Sequence, residues 1–168
     1  YGANTLTFAE VAANVAKMHV LLKRCNIKKG DHIAIAARNS AEWCAAFIGI
    51  TSYGAVAVPL LPDFLPENLI QLTKLSESRI LFVDKNILSG FKRENLLDSF
   101  DNVSDFIGVV DIVTYGTVEG CKCGMNVSAD EITTLFNKKY PHGIDKSHVD
   151  YSGNNINDLA VISYTSGT

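Results

Sequence analysis

The chain has 168 residues, of which 47% are hydrophobic and 20% charged, and its formal net charge is −3. That length and balance suit one globular unit with an ordinary core and are not the composition of a disordered chain. Acids and bases are interspersed, so there is neither a basic footprint for nucleic acid nor a polybasic membrane patch.

In chain order, Thr7 and Glu10 form a capping-box pair, and Phe8, Val11, Val15, Met18 and Leu22 recur at helical spacing, which predicts a helix to about Arg24. His19 sits beside this stripe and reads as a packing histidine, since no acid or nucleophile is placed to work with it. Lys28-Lys29-Gly30-Asp31 is a polar turn, followed by a strand over residues 33–37 that is apolar enough to be buried on both faces. Asn39 or Ser40 caps a second helix, with Glu42 in its first turn and Trp43, Phe47 and Ile50 on its buried side. Gly54 stops that helix, and residues 55–58 make a second buried strand ended by Pro59. The uncharged run over residues 43–62 therefore reads as a helix and a strand; its glycines and prolines break the pattern of a membrane span.

Pro66 opens a third helix carrying Leu69, Leu72 and Leu75 or Ser76, and residues 79–83 form a third strand. Asp84 ends that strand in the position of a ribose-binding acid, but no G-x-G-x-x-G precedes it, so a solvated strand-end carboxylate is expected. Residues 86–99 carry a weak helical pattern, and residues 106–113 read as a strand rich in Ile, Val and Phe. Gly116, Gly120 and Gly124 punctuate a loop or loose hairpin around Cys121-Lys122-Cys123. Ser128 and Glu131 repeat the capping box ahead of a helix presenting Ile132, Leu135, Phe136 and Tyr140, which Pro141 ends. A polar segment, residues 145–158, leads to the last apolar run. Cys25, Cys44, Cys121 and Cys123 do not make a disulfide framework, and C-x-C with His142 and His148 lacks zinc-ligand spacing, so free thiols and no metal are expected. Strand, helix, strand, helix, strand predicts the α/β class, a parallel sheet with helices on both faces and ligands beyond the carboxyl ends of its strands.

The final residues, Leu159-Ala160-Val161-Ile162-Ser163-Tyr164-Thr165-Ser166-Gly167-Thr168, read as a buried strand passing into a phosphate loop, with hydroxyls as donors and a glycine that admits close backbone approach. Alone, T-S-G-T is also an ordinary turn. Its context is more specific. Tyr164 to Thr168 resemble the first five positions of Y-T-S-G-T-T-G-x-P-K-G, the signature of the adenylate-forming enzymes, which include acyl-CoA synthetases, firefly luciferases and peptide-synthetase adenylation domains. Lys29-Gly30-Asp31-His32-Ile33-Ala34-Ile35 is similar to the family's K-G-D-x-V-A-I, and Asn39-Ser40-Ala41-Glu42-Trp43 to its N-S-x-E-W. Gly54-Ala55-Val56-Ala57-Val58-Pro59-Leu60 resembles G-A-V-x-V-P-L, and Thr7-Phe8-Ala9-Glu10 the T-Y-x-E that opens its first helix.

The resemblance implies that residues 1–168 are an incomplete amino-terminal subdomain of an AMP-binding domain, part of the large amino-terminal domain of an acyl-CoA synthetase-like fold. It implies a parent that uses ATP, Mg²⁺ and coenzyme A to join a carboxylic acid to a thiol through an acyl-adenylate. A fatty acid is the expected substrate, because a helix and polar linker just ahead of the signature resemble medium- and long-chain acyl-CoA synthetases. Thr165, Ser166, Gly167 and Thr168 carry over as phosphate-holding residues, no catalytic or metal-binding residue is assigned, and Tyr164 is expected to pack at the strand end. The family's loop lysine and catalytic lysine have no counterpart in these residues, so the piece alone is expected to be inactive and to self-associate through uncovered apolar surface. The cysteine usage points to a cytoplasmic location for the parent, whose peripheral membrane contact is left open. Alternatives are another acid-activating enzyme, for an amino acid, aryl acid or acetate, and an α/β binding module without catalysis.

Overall fold

The computed structural model describes residues 5–101, 103–119, 126–148 and 153–164. Four strands, β1 (His32–Ala36), β2 (Val56–Leu60), β3 (Ile80–Val83) and β4 (Gly108–Asp111), pair entirely in parallel in the order β2-β1-β3-β4. Helices α1 (Phe8–Arg24), α2 (Ala41–Tyr53), α3 (Pro66–Leu75), α4 (Lys85–Arg93) and α5 (Ala129–Lys139) surround them.

Successive strand residues point to opposite faces, and here both faces are apolar and covered. Ile33, Ile35, Ala57, Ile80, Phe82 and Val110 share one core with residues of α1, α2 and α5, including Met18, Leu21, Ile50 and Ile132. Ala34, Ala36, Val58, Leu60, Leu81, Val83 and Val109 form the other with Leu69, Phe91 and Phe100. The expected two-faced α/β sheet is the observed one. Helix α1 begins at a complete capping box, the Thr7 hydroxyl accepting from the Glu10 amide and the Glu10 carboxylate from the Thr7 amide. Helix α2 starts on Ser40 and stops at Gly54, whose φ of 92° is left-handed and suits glycine. Gly49 lies where α2 crosses α1; a Cβ there would fall 2.7 Å from Met18 Cγ.

Several expectations shift. Pro59 does not end β2 but lies inside it, opposite Ile35. Ala57 directs both backbone groups away from β1, as Pro59 two residues on must also do, so the donor that proline lacks faces the sheet edge. The strand expected over residues 106–113 is confined to 108–111, because the Asp111 carboxylate accepts from the Val113 and Thr114 amides and folds the chain into a turn. The weak helical pattern over residues 86–99 divides into α4 and a 3₁₀ turn, Leu97–Phe100. The second capping box is half formed: the Ser128 hydroxyl accepts from the Glu131 amide, but the Glu131 carboxylate pairs with Arg24 at 2.7 Å, tying α5 to α1. Thr117 and Val127 hydrogen-bond across the predicted hairpin base, whose Cys121-Lys122-Cys123 tip lies outside the described residues.

Candidate functional site

In a sheet of this kind the carboxyl ends of the strands are where ligands collect. The last apolar run reaches that edge. Val161 bridges Ala57 in parallel, with the Ala57 amide donating to the Ala160 carbonyl and the Ile162 amide to the Ala57 carbonyl, both at 2.9 Å. Beyond the bridge, Tyr164 comes beside Phe64, which follows the end of β2. Its half-buried ring packs with Phe64 and Leu72 against the second core, as expected of a strand-end residue. With Asn68, Gln71 and Leu75, these side chains line a cleft of about 490 Å³. Thr165, Ser166, Gly167 and Thr168, the expected phosphate-holding residues, lie outside the described residues.

The run itself is not the buried strand its composition suggests. It is a single bridge on the sheet edge, with Leu159 58% and Val161 38% exposed. Among the described residues it has β2 on one side and no strand on the other, so its apolar side chains are only partly covered.

The crevice between β1 and β3, where α2 and α4 leave for opposite faces, is the other place a ligand would be expected in a doubly wound sheet. Asp84 closes it. Its Oδ1 accepts from the Asn86 and Ile87 amides at 2.8 and 3.0 Å, capping α4, and its Oδ2 accepts from the Arg38 amide at 2.9 Å. Asp84 is thus a half-exposed carboxylate at the strand end, as expected, and it also serves as a structural cap on which three backbone donors converge.

His19 packs as expected. Its Nε2 is 2.9 Å from the Ser52 hydroxyl, its ring meets Tyr53 edge-on, and burial pushes its pKa below the ordinary 6.5. Burial likewise pushes the Cys25 thiol up to about 11, while Cys44 is exposed, and neither is in a disulfide. Cys121 and Cys123 lie outside the described residues. Among those residues no three His, Cys, Asp or Glu side chains come together to hold a metal ion, and no helix is long and apolar enough to cross a membrane.

One group was not singled out by sequence. Lys29 Nζ reaches the Gly153 carbonyl at 2.8 Å and the Asp158 carboxylate at 2.7 Å, while Asn154 Nδ2 donates to the Ser52 carbonyl at the end of α2 at 2.9 Å. The Lys29 hydrogen bond, then the Asn155 amide, holds the Asp158 carboxyl below its usual range. These contacts join residues more than a hundred positions apart, and although Lys29 opens the K-G-D motif, nothing local points to its partners.

The sequence model of the AMP-binding enzyme family matches residues 1–168, the whole chain. The chain belongs to the AMP-binding enzyme family. Within that family it is 26% identical over 167 residues to the acetyl-coenzyme A synthetase of Bradyrhizobium sp. (strain ORS 278), an alignment covering 97% of this chain and 24% of the relative. It is 34% identical over 82 residues to 4-coumarate–CoA ligase 2 of Nicotiana tabacum, covering 48% of this chain and 15% of that protein. The chain therefore spans about a quarter of the acetyl-coenzyme A synthetase it matches end to end. Among solved structures, an anthranilate CoA ligase in complex with anthranoyl-AMP superposes with a TM-score of 0.71 at 20% identity over 98% of this chain and 28% of its own. A Mycobacterium tuberculosis fatty acyl CoA synthetase does so with a TM-score of 0.65 at 20% identity, covering 96% and 27%. The fold of the sheet and its helices is thus shared with these two structures.

Proposed function

We propose that the protein containing these residues is an ATP-dependent acid–CoA ligase, and that residues 1–168 form the first subdomain of its AMP-binding domain. A carboxylate oxygen of the acid attacks the α-phosphorus of ATP and pyrophosphate leaves; the coenzyme A thiol then attacks the acyl carbon and AMP leaves. The Thr165, Ser166 and Thr168 hydroxyls, with the Gly167 amide, donate hydrogen bonds to the departing phosphates and stabilise charge as it moves onto them. The protein's remaining task is to align two anions, which favours a rigid scaffold. Mg²⁺ accompanies ATP in this reading; no described residue fits as its ligand, and no step is assigned to it.

The observation that supports the reading is the arrival of Tyr164 at the carboxyl edge of the sheet, so that Thr-Ser-Gly-Thr starts from the edge where ligands collect. For the acid, we favour a fatty acid, on the strength of α5 and the polar segment that separate β4 from the terminal run. A second reading, a short or aryl acid, draws support from relatives named for acetate, coumarate and 3-hydroxybenzoate. The test is exchange of labelled pyrophosphate into ATP by the whole protein across a panel of acids. Exchange that rises with dodecanoate and not with acetate or benzoates supports the first reading, the reverse supports the second, and exchange with none of them overturns both.

A further inference from the structure

Asp84 closes the crevice between β1 and β3 at the level of the strands, and a cleft of about 170 Å³ opens just beyond it. Arg38, Pro62 and Asp84, each one or two residues past the end of a strand, stand around this cleft, so it lies on the carboxyl edge of the sheet. Phe64 lines both this cleft and the one beside Tyr164, and its ring forms the wall between them. Arg93 closes the far side, one turn beyond Gly90 on the face of α4 that meets Pro66.

The walls are apolar, from Pro62, Phe64, Pro66 and Ile87, while the charge comes from two guanidiniums and one carboxylate. The carboxylate of Asp84 accepts from three backbone amides and pairs with neither arginine. The exposed Arg38 guanidinium makes no hydrogen bond or ion pair among the described residues. Arg93 is 78% exposed and meets only the neighbouring Glu94, at 3.7 Å. Two loosely engaged guanidiniums beside apolar walls suit a phosphate carried on a flat ring, because the guanidinium fork takes phosphate oxygens in pairs and stacks on planar groups. Neither arginine falls in a stretch that resembles the adenylate-forming enzymes, so that resemblance does not account for them.

We propose that Arg38 and Arg93 bind the 3′-phosphate of coenzyme A, with its adenine ring against Phe64 and Ile87, and thereby select coenzyme A over dephospho-coenzyme A. The inference rests on the acid–CoA ligase reading above. In that reading ATP places its phosphates beyond Tyr164, which leaves the cleft across Phe64 for the second nucleotide of the reaction. The 3′-phosphate is close to a dianion at neutral pH and lies at the opposite end of coenzyme A from the thiol, so it can be held without obstructing the reacting end.

The test is titration calorimetry of the whole protein, unsubstituted and as Arg38→Met and Arg93→Met, with coenzyme A, dephospho-coenzyme A and ATP. The unsubstituted protein binds coenzyme A about tenfold more tightly than dephospho-coenzyme A, and each substitution removes most of that preference by weakening coenzyme A alone. Both side chains are exposed, so the melting temperature of each variant stays at that of the unsubstituted protein. No preference in the unsubstituted protein, a preference that survives both substitutions, or an equal loss for the two thiols overturns the proposal. Weakened binding of ATP instead of coenzyme A assigns the arginines to the phosphates of ATP and overturns it as well. Failure of the unsubstituted protein to exchange labelled pyrophosphate with any acid overturns the functional reading, and the calorimetric preference still judges the cleft.

Discussion

Replacing Gly49 with alanine distinguishes a packed helix crossing from an open one by the sign of the effect. In an exposed helix the change stabilises by about 1 kcal/mol, since alanine is the better helix former. Here the added Cβ would lie 2.7 Å from Met18 Cγ and 2.8 Å from Met18 Cβ. Carbon atoms prefer about 3.5–4.0 Å, so a gap of roughly 1 Å must open. The atoms struck are the root of the Met18 side chain, 0% exposed, and cannot swing aside without moving α1. That sets the overpacking cost at about 2–3 kcal/mol, the upper part of the usual range. Subtracting the propensity gain leaves a loss of about 1–2 kcal/mol. Urea unfolding of the 168-residue chain, followed through Trp43, its single tryptophan and one stacked on Phe47 in α2, should show a midpoint lower by about 0.5–1 M. A midpoint that rises would refute the close crossing of α1 and α2.

The remaining predictions concern the caps and buried titratable groups. Asp84→Ala removes the acceptor of three backbone amides and should cost about 1–3 kcal/mol, whereas Asp84→Asn retains most of the stability; equal losses would contradict the cap. Because burial lowers the His19 pKa, the unfolded chain binds a proton that the folded chain refuses. Stability is therefore complete above pH 6.5 and is lost as pH falls from there through the folded value, and His19→Gln should flatten that slope in urea titrations between pH 7 and 5. Alkylation at pH 7.5 with iodoacetamide, mapped by mass spectrometry, should mark exposed Cys44 well ahead of Cys25, whose thiol is buried and raised to about 11. Equal labelling would show that Cys25 is not enclosed by α1 and its neighbours.

What could be read from the sequence was what short-range chemistry encodes. Thr7 and Glu10 are three residues apart, so their reciprocal bonds announce the start of α1, and the doubly apolar strands β1 and β3 announce a sheet covered on both faces. Reading failed where a distant partner competed. Glu131 sits at capping-box spacing, yet Arg24, more than a hundred positions away, takes its carboxylate. Asp84 was legible as a strand-end carboxylate, but no local pattern shows that the Arg38 amide would come beside it. The terminal run looked buried because its composition records hydrophobicity and not the number of neighbours it meets. At the candidate site, the signature and the sheet edge were legible, but the partners of Lys29 and Asn154 were not, their bonds being long-range and made largely to backbone carbonyls.

The central claim, that a carboxylate oxygen attacks the α-phosphorus of ATP, is tested most directly by following that oxygen. The whole protein is supplied with ATP, coenzyme A and dodecanoate labelled with oxygen-18 in both carboxylate positions, and the products are weighed by mass spectrometry. The account predicts AMP carrying one labelled oxygen and acyl-CoA retaining the other. Unlabelled AMP, or label delivered instead to inorganic phosphate alongside ADP, would contradict it.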